Sequence, residues 1–195
     1  MVVTGGASHA IDLSCLLFCR EGQHAAVEDP SYFLAFQIFR DHGMIVHPLK
    51  TSCSGIDLDE LEENLAKGSL KPSLVYTIPT FNNPSSFVMD EDDRNRLIDL
   101  AHKYDFYVLA DEVYQLIYFD TADKPPLPLA MLEHMSGKYN EGRVISIGSL
   151  AKSLSPGLRV GYVHSMFPNI TSKFTQCGYT RSGGAINHFT TGIGM

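Results

Sequence analysis

Short apolar runs alternate with amphipathic stretches along almost the whole chain. Residues 1–4, 24–28, 44–47, 73–78, 106–110, 143–147 and 159–164 form runs too short for helices, and they are predicted strands. The run at 106–110 is apolar without interruption, the pattern of a parallel strand buried on both faces. Between the strands, residues 7–21, 32–42, 58–67, 91–104, 129–135 and 169–177 carry helical patterns. Asp57 with Glu60 gives one of these a capping signature, and Asp90 with Asp93 gives another a weaker one. Such alternation predicts an α/β fold, a mostly parallel sheet with helices on both faces. The length suits one domain, expected over 1–167, followed by an exit helix and tail over 168–195. Residues 121–128 hold three prolines and read as a surface loop, and 192–195 have no evident structural role.

Five strand ends carry residues with chemistry. After the run at 143–147, a loop of small and hydroxylic residues contains Ser149 and one amine, Lys152, with Arg159 seven positions on. A lysine is a useful nucleophile only when burial or a cationic neighbour lowers its pKa. Arginine suits bidentate phosphate binding. An amine beside a phosphate clamp is what a cofactor with both an aldehyde and a phosphate needs, which is pyridoxal phosphate. Taken alone, a lysine is a solvated surface group, so other segments must decide. Asp111 closes the run 106–110, at a strand's carboxyl end, where open α/β sheets place their ligands. A carboxylate there can keep a pyridine nitrogen protonated. Tyr114 could reach the ring's phenolic oxygen. The alternative for Asp111 is a helix N-cap. Asn83 lies in a turn after the run 73–78 and is either an ordinary loop residue or an amide aimed at the same oxygen. Gly6, Ala7 and Ser8 join a strand to a helix start, an anion site built from backbone N–H groups. Tyr32, at a helix start, either stacks on a ring or belongs to the core.

In that order, these motifs resemble the large domain of class I/II aminotransferases, the fold-type I pyridoxal phosphate enzymes. The resemblance covers nearly all 195 residues. It aligns the family's phosphate turn with Gly6, Ala7 and Ser8, its stacking aromatic with Tyr32, and its Asn-Pro loop with Asn83 and Pro84. Its Asp and Tyr pair falls on Asp111 and Tyr114. Its Ser-x-x-Lys and Pro-Gly-x-Arg motifs fall on Ser149, Lys152, Pro156, Gly157 and Arg159. The resemblance implies amino transfer from an amino acid to a 2-oxo acid through a Schiff base on Lys152, with Asp111 and Tyr114 also catalytic. It also implies a homodimer. The stretch 181–189 looks related to 2-aminoadipate and aromatic aminotransferases. A lyase of the same fold, performing β-elimination or C–S cleavage, would use the same lysine, aspartate and arginine. A non-catalytic cofactor- or partner-binding fragment is a third reading.

The chain departs from the family in three ways. It continues the Asn-Pro loop as Ser85-Ser86, where the family usually has Thr-Gly. It is about half the family's length. It is expected to begin inside the first core strand and to lack the small domain that carries the family's carboxylate-binding arginine, with Arg181 the one substitute in reach. Alone it is expected to transaminate poorly.

Composition narrows the partners. A net charge of -7 argues against nucleic acid and acidic membrane surfaces, but local arginine can still hold a phosphate. No run approaches the roughly 18 apolar residues of a membrane span. Cys15, Cys19, Cys53 and Cys177 form no CxxC pair and are expected to be buried free thiols of a reducing compartment. That compartment is expected to be the cytoplasm, or the mitochondrion if a longer N-terminus exists. The eight histidines form no metal-ligating cluster, and His9, beside the glycine turn, is expected to be structural.

Overall fold

The computed structural model of the chain describes residues 1–119 and 124–183. In chain order the elements are β1 (Val2–Thr4), α1 (Ala7–Phe18), β2 (His24–Asp29), α2 (Phe33–Asp41), β3 (Ile45–Ser52), β4 (Gly55–Ile56) and α3 (Leu58–Lys67). There follow β5 (Pro72–Thr77), α4 (Glu91–Tyr104), β6 (Tyr107–Asp111), α5 (Leu129–Met135), β7 (Val144–Ser149), a 3₁₀ turn (Pro156–Leu158), β8 (Gly161–His164), α6 (Pro168–Gln176) and α7 (Gly178–Arg181).

Successive side chains of a strand point to opposite faces, and this splits the interior in two. Ala25, Val27, Leu74, Tyr76, Leu109, Ile145 and Ile147 turn to one face and meet α1, α2 and α6 through Ile11, Leu13, Phe39, Ile170 and Phe174. Ala26, Val75, Val108, Ala110 and Val144 turn to the other and meet α3, α4 and α5 through Leu61, Leu97, Ile98 and Leu129. The central strands are therefore apolar on both sides, which is why they read as continuous runs.

The sheet order is β1-β8-β7-β6-β5-β2-β3-β4. Parallel pairing links β7 to β6, β6 to β5, β5 to β2 and β2 to β3. Both β1 and β7 run against β8, so β1 shares the direction of the parallel set. Only β8 and the two-residue β4 are reversed. The carboxyl ends of β1, β2, β5, β6 and β7 thus lie along one edge of the sheet, together with the start of β8.

Several boundaries differ from the sequence reading. The first helix stops at Phe18, and Cys19 is already extended, with its N–H on the Cys15 carbonyl. The third strand continues through Pro48 to Ser52, because it is paired on one side along most of its length, where a sheet tolerates proline. The strand placed at 159–164 begins at Gly161, since Arg159 has φ 52 and cannot be extended. The hairpin partner β4, the 3₁₀ turn and α7 are too short to show a period. Both capping aspartates act as expected: Asp57 accepts from Glu60 N at 3.1 Å, and Asp90 from Asp93 N at 2.8 Å. Cys15 and Cys19 are buried, but Cys53 is exposed and Cys177 half-buried, which corrects the expectation of four buried thiols. Residues 121–123 of the proline loop and 184–195 of the tail lie outside the described residues. No described helix is long and apolar enough to cross a membrane.

Candidate active site

The turn after β1 is shaped by two glycines. Gly6 has φ 103, and a β-carbon there would stand 2.7 Å from Arg159 Nη2. A β-carbon on Gly161 would stand 2.7 Å from the Gly6 carbonyl carbon. Backbone and guanidinium can therefore close over the turn only because neither position has a side chain. Being glycine, Gly6 caps α1 with no side-chain oxygen. The first N–H groups of the helix are left to an outside acceptor, at the positive end of the dipole. Gly5 N donates to His9 Nδ1 at 2.9 Å, so His9 braces this turn, as expected of a structural residue. Arg159 is exposed and donates to Gly5 O at 3.4 Å.

At the end of β6, Asp111 is 4% exposed. No helix follows it, which removes the N-cap alternative. Its Oδ2 accepts from the buried Tyr76 hydroxyl at 2.7 Å, and its Oδ1 is buried with no hydrogen-bond partner among the described residues. Burial pushes the Asp111 carboxyl up to about 6, against the pull of the Tyr76 hydroxyl, the Val113 N–H and the Lys152 charge. Tyr114 follows in a turn, and the Lys152 ammonium lies 5.8 Å from its ring centroid. Lys152 itself is exposed, so burial, one of the two expected ways to activate a lysine, is not what the structure shows. Ser149 ends β7, where its hydroxyl accepts from Ala151 N at 3.1 Å and turns the chain toward Lys152.

The loop that carries Asn83 is held through its neighbour Asn82 by a second buried carboxylate. Glu28, at the end of β2, is fully buried and accepts from Thr77 Oγ1, from Ile78 N at 2.9 Å and from Asn82 Nδ2 at 2.8 Å. Burial raises it to about 7. Four residues on from Glu28, Tyr32 caps α2 half-buried, packed against the edge of the core. Glu28 therefore ties the segment carrying Tyr32 to the loop carrying Asn83.

One open cleft gathers these groups. Ala7, Ser8, Tyr32, Asn83, Asp111, Tyr114, Ser149, Lys152 and Arg159 line a space of about 210 Å³. That exceeds the ~30 Å³ share of a single water several-fold and suits a small ring with substituents. Gly6 lies behind the wall, under Arg159. Arg181, the substitute carboxylate anchor, is exposed at the end of α7 and does not line the cleft. Sequence reasoning missed Tyr76 and Glu28. A phenol inside the run 73–78 and a carboxylate closing the run 24–28 were the available signals, since buried polar groups need partners. Among the described residues, no cluster of three or more His, Cys, Asp or Glu could hold a metal ion.

The chain matches the family "Aminotransferase class I and II" over residues 1–176. It is 34% identical over 166 residues to the aromatic-amino-acid aminotransferase 1 of Thermococcus litoralis, an alignment covering 84% of this chain and 38% of the relative. Its structure is similar to that of the multiple substrate aminotransferase of Thermococcus profundus, with a TM-score of 0.83, 30% identity, and coverage of 98% of this chain and 46% of that one. It is also similar to the α-aminoadipate aminotransferase LysN of Thermus thermophilus, solved with N-(5'-phosphopyridoxyl)-L-leucine, with a TM-score of 0.82, 32% identity, and coverage of 96% and 46%. The chain thus spans less than half the length of each.

Proposed function

The chain belongs to the class I and II aminotransferase family, and from that premise we propose that it forms the cofactor-binding part of a pyridoxal phosphate-dependent amino-acid aminotransferase. The observation that carries this reading is the unpartnered Oδ1 of Asp111, in a cleft that also holds an amine and a guanidinium. A buried polar atom without a partner is costly unless a ligand completes it. A protonated pyridine nitrogen is the complement Oδ1 lacks. The glycine turn under Arg159 likewise suits a phosphate, so the residues present fit the cofactor.

The parts follow from their chemistry. Arg159, Ser149 and the turn at Gly6, Ala7 and Ser8 would hold the phosphate. Tyr32 would pack on a ring face, and Asn83 and Tyr114 would hydrogen-bond the phenolic oxygen. When bound, the cofactor supplies an electron sink for the substrate's α-carbon. Lys152 would supply the amine that bonds the cofactor covalently and, once displaced by substrate, would move the α-proton as base and then acid. Asp111 would keep the ring nitrogen protonated. The substrates would be an amino acid and a 2-oxo acid. The LysN and aromatic relatives favour a long or aromatic side chain. We further propose a homodimer: Phe33 and Leu34 beside Tyr32, and Leu154 beside Lys152, form exposed apolar surface near the cleft that a second subunit would cover.

The test is turnover by the longest natural form of the protein with a panel of amino acids, with and without a 2-oxo acid. Turnover that requires the 2-oxo acid, with its amination, is the expected result. Release of ammonia without any acceptor would assign a lyase instead.

A further inference from the structure

Tyr76 is fully buried on β5, and Phe39 of α2 packs edge-on against its ring at 5.5 Å between centroids. A buried tyrosine hydroxyl normally finds a partner, so the existence of a bond is unremarked. The choice of partner is informative. Tyr76 donates across to the neighbouring strand, to the one buried carboxylate among the described residues with an oxygen that has no partner. With the phenol fixed by Phe39 and Oδ2 fixed by the phenol, the Asp111 carboxylate cannot rotate freely.

We propose that Tyr76 is a positioning residue that orients Asp111 and biases it toward its ionised form, so that the proton shared with the cofactor's ring nitrogen rests on nitrogen. The inference rests on the reading of the cleft as a pyridoxal phosphate site. Two arrangements hold the same number of protons. With the proton on nitrogen, the carboxylate is negative and the ring positive. With the proton on Oδ1, both are neutral. A hydrogen bond donated by a phenol is stronger to a carboxylate than to a carboxylic acid, so Tyr76 favours the first arrangement. The other groups facing Asp111 divide. Glu28 from β2 and the adjacent Glu112 favour the protonated acid. Lys152 from the segment after β7 and the Val113 N–H favour the anion. Tyr114 and Arg159 also line the cleft, and α1 brings only uncharged side chains to it. Among the described residues Tyr76 is the one side chain bonded directly to Asp111, which gives it the largest leverage among the side chains that favour the anion.

The experiment follows Asp111 by carbon NMR in the cofactor-free chain carrying ¹³C-carboxyl aspartate, its signal identified by loss in Asp111→Asn. Tyr76→Phe removes only the hydroxyl. The expected result is an Asp111 midpoint raised by about one pH unit, a tenfold shift in the protonation equilibrium. An unmoved midpoint in a folded Tyr76→Phe chain would overturn the proposal. Should that variant fail to fold, the wild-type chain with ¹³Cζ-tyrosine decides: the Tyr76 signal must move with the Asp111 midpoint, and a flat signal overturns the coupling. With ¹⁵N-labelled pyridoxal phosphate bound, the ring nitrogen should read as more protonated in wild type than in Tyr76→Phe, and equal signals overturn the ring-proton bias. Failure of the wild-type chain to bind the cofactor would instead sink the functional reading, while the Asp111 titration stands apart from it.

Discussion

Arg159 occupies the left-handed region at φ 52, which costs a residue with a β-carbon about 1 kcal/mol. Strain of this kind persists where the surroundings impose it. Here the guanidinium closes over Gly6, and β8 starts two residues later in antiparallel register with β1. The sequence placed Arg159 in a strand, yet it also grouped it with the lysine and the glycine turn it lies beside, because such residue types are legible without the fold. Tyr76 and Glu28 were not legible in the same way. Their partners lie 35 residues away for Tyr76 and 49 to 54 for Glu28, on strands whose adjacency only the sheet order reveals. Arg159→Lys keeps the charge and loses the planar fork. We expect the dissociation constant for pyridoxal phosphate to rise about tenfold, roughly 1.4 kcal/mol, while the covalent link to Lys152 still forms. An unchanged constant in an absorbance titration would mean the phosphate is held elsewhere.

Among the elements, strands and helices with a clear period were found within a few residues, and one source of the misses is local. Where the chain turns on a special backbone angle, apolar periodicity carries no information. Ser86 is such a place: it takes φ 62 where the family usually has glycine, and the loop is held instead by Ser85, which donates its N–H and hydroxyl to Asn82 Oδ1. The elements are bolted together by buried carboxylates. Glu28 ties β2 to β5. Glu133 ties α5 to the start of β7, accepting from Arg143 N at 2.6 Å and Val144 N at 3.3 Å, and His102 of α4 lies 2.8 Å from it. Burial raises both to about 7, and Asp111 to about 6. A carboxyl whose folded pKa is raised contributes stability that is complete below its unfolded pKa and is lost as pH climbs through the folded value. His9, His102 and His164 are lowered by burial and oppose this only as pH falls through their ordinary 6.5. The carboxylates therefore decide the window from 6.5 upward. Urea unfolding of the cofactor-free chain should show a midpoint that falls between about pH 6.5 and 8. A midpoint that rises across that window would show these carboxylates to be ionised and paired.

For the whole molecule, the decisive fact is directional. The parallel set and β1 point one way, so five strand ends deliver Gly6, Tyr32, Asn83, Asp111 and Ser149 to one edge, and the reversed β8 brings Arg159 back to it. The α/β class and the helices on both faces were legible because the central strands are apolar on both sides. The antiparallel insertion of β8 between β1 and β7 was not, since a short strand gives no sign of its direction. Yet that insertion places the guanidinium over the glycine turn. The central claim is that this edge is built to hold pyridoxal phosphate on one particular amine. Incubation of the chain with the cofactor, reduction with borohydride and mass mapping of the peptides tests it most directly. A single phosphopyridoxyl group is expected on the peptide containing Lys152, lost in a Lys152→Ala chain that remains folded because this side chain is exposed. Labelling spread over other lysines, or a folded chain that takes no label at Lys152, would contradict it.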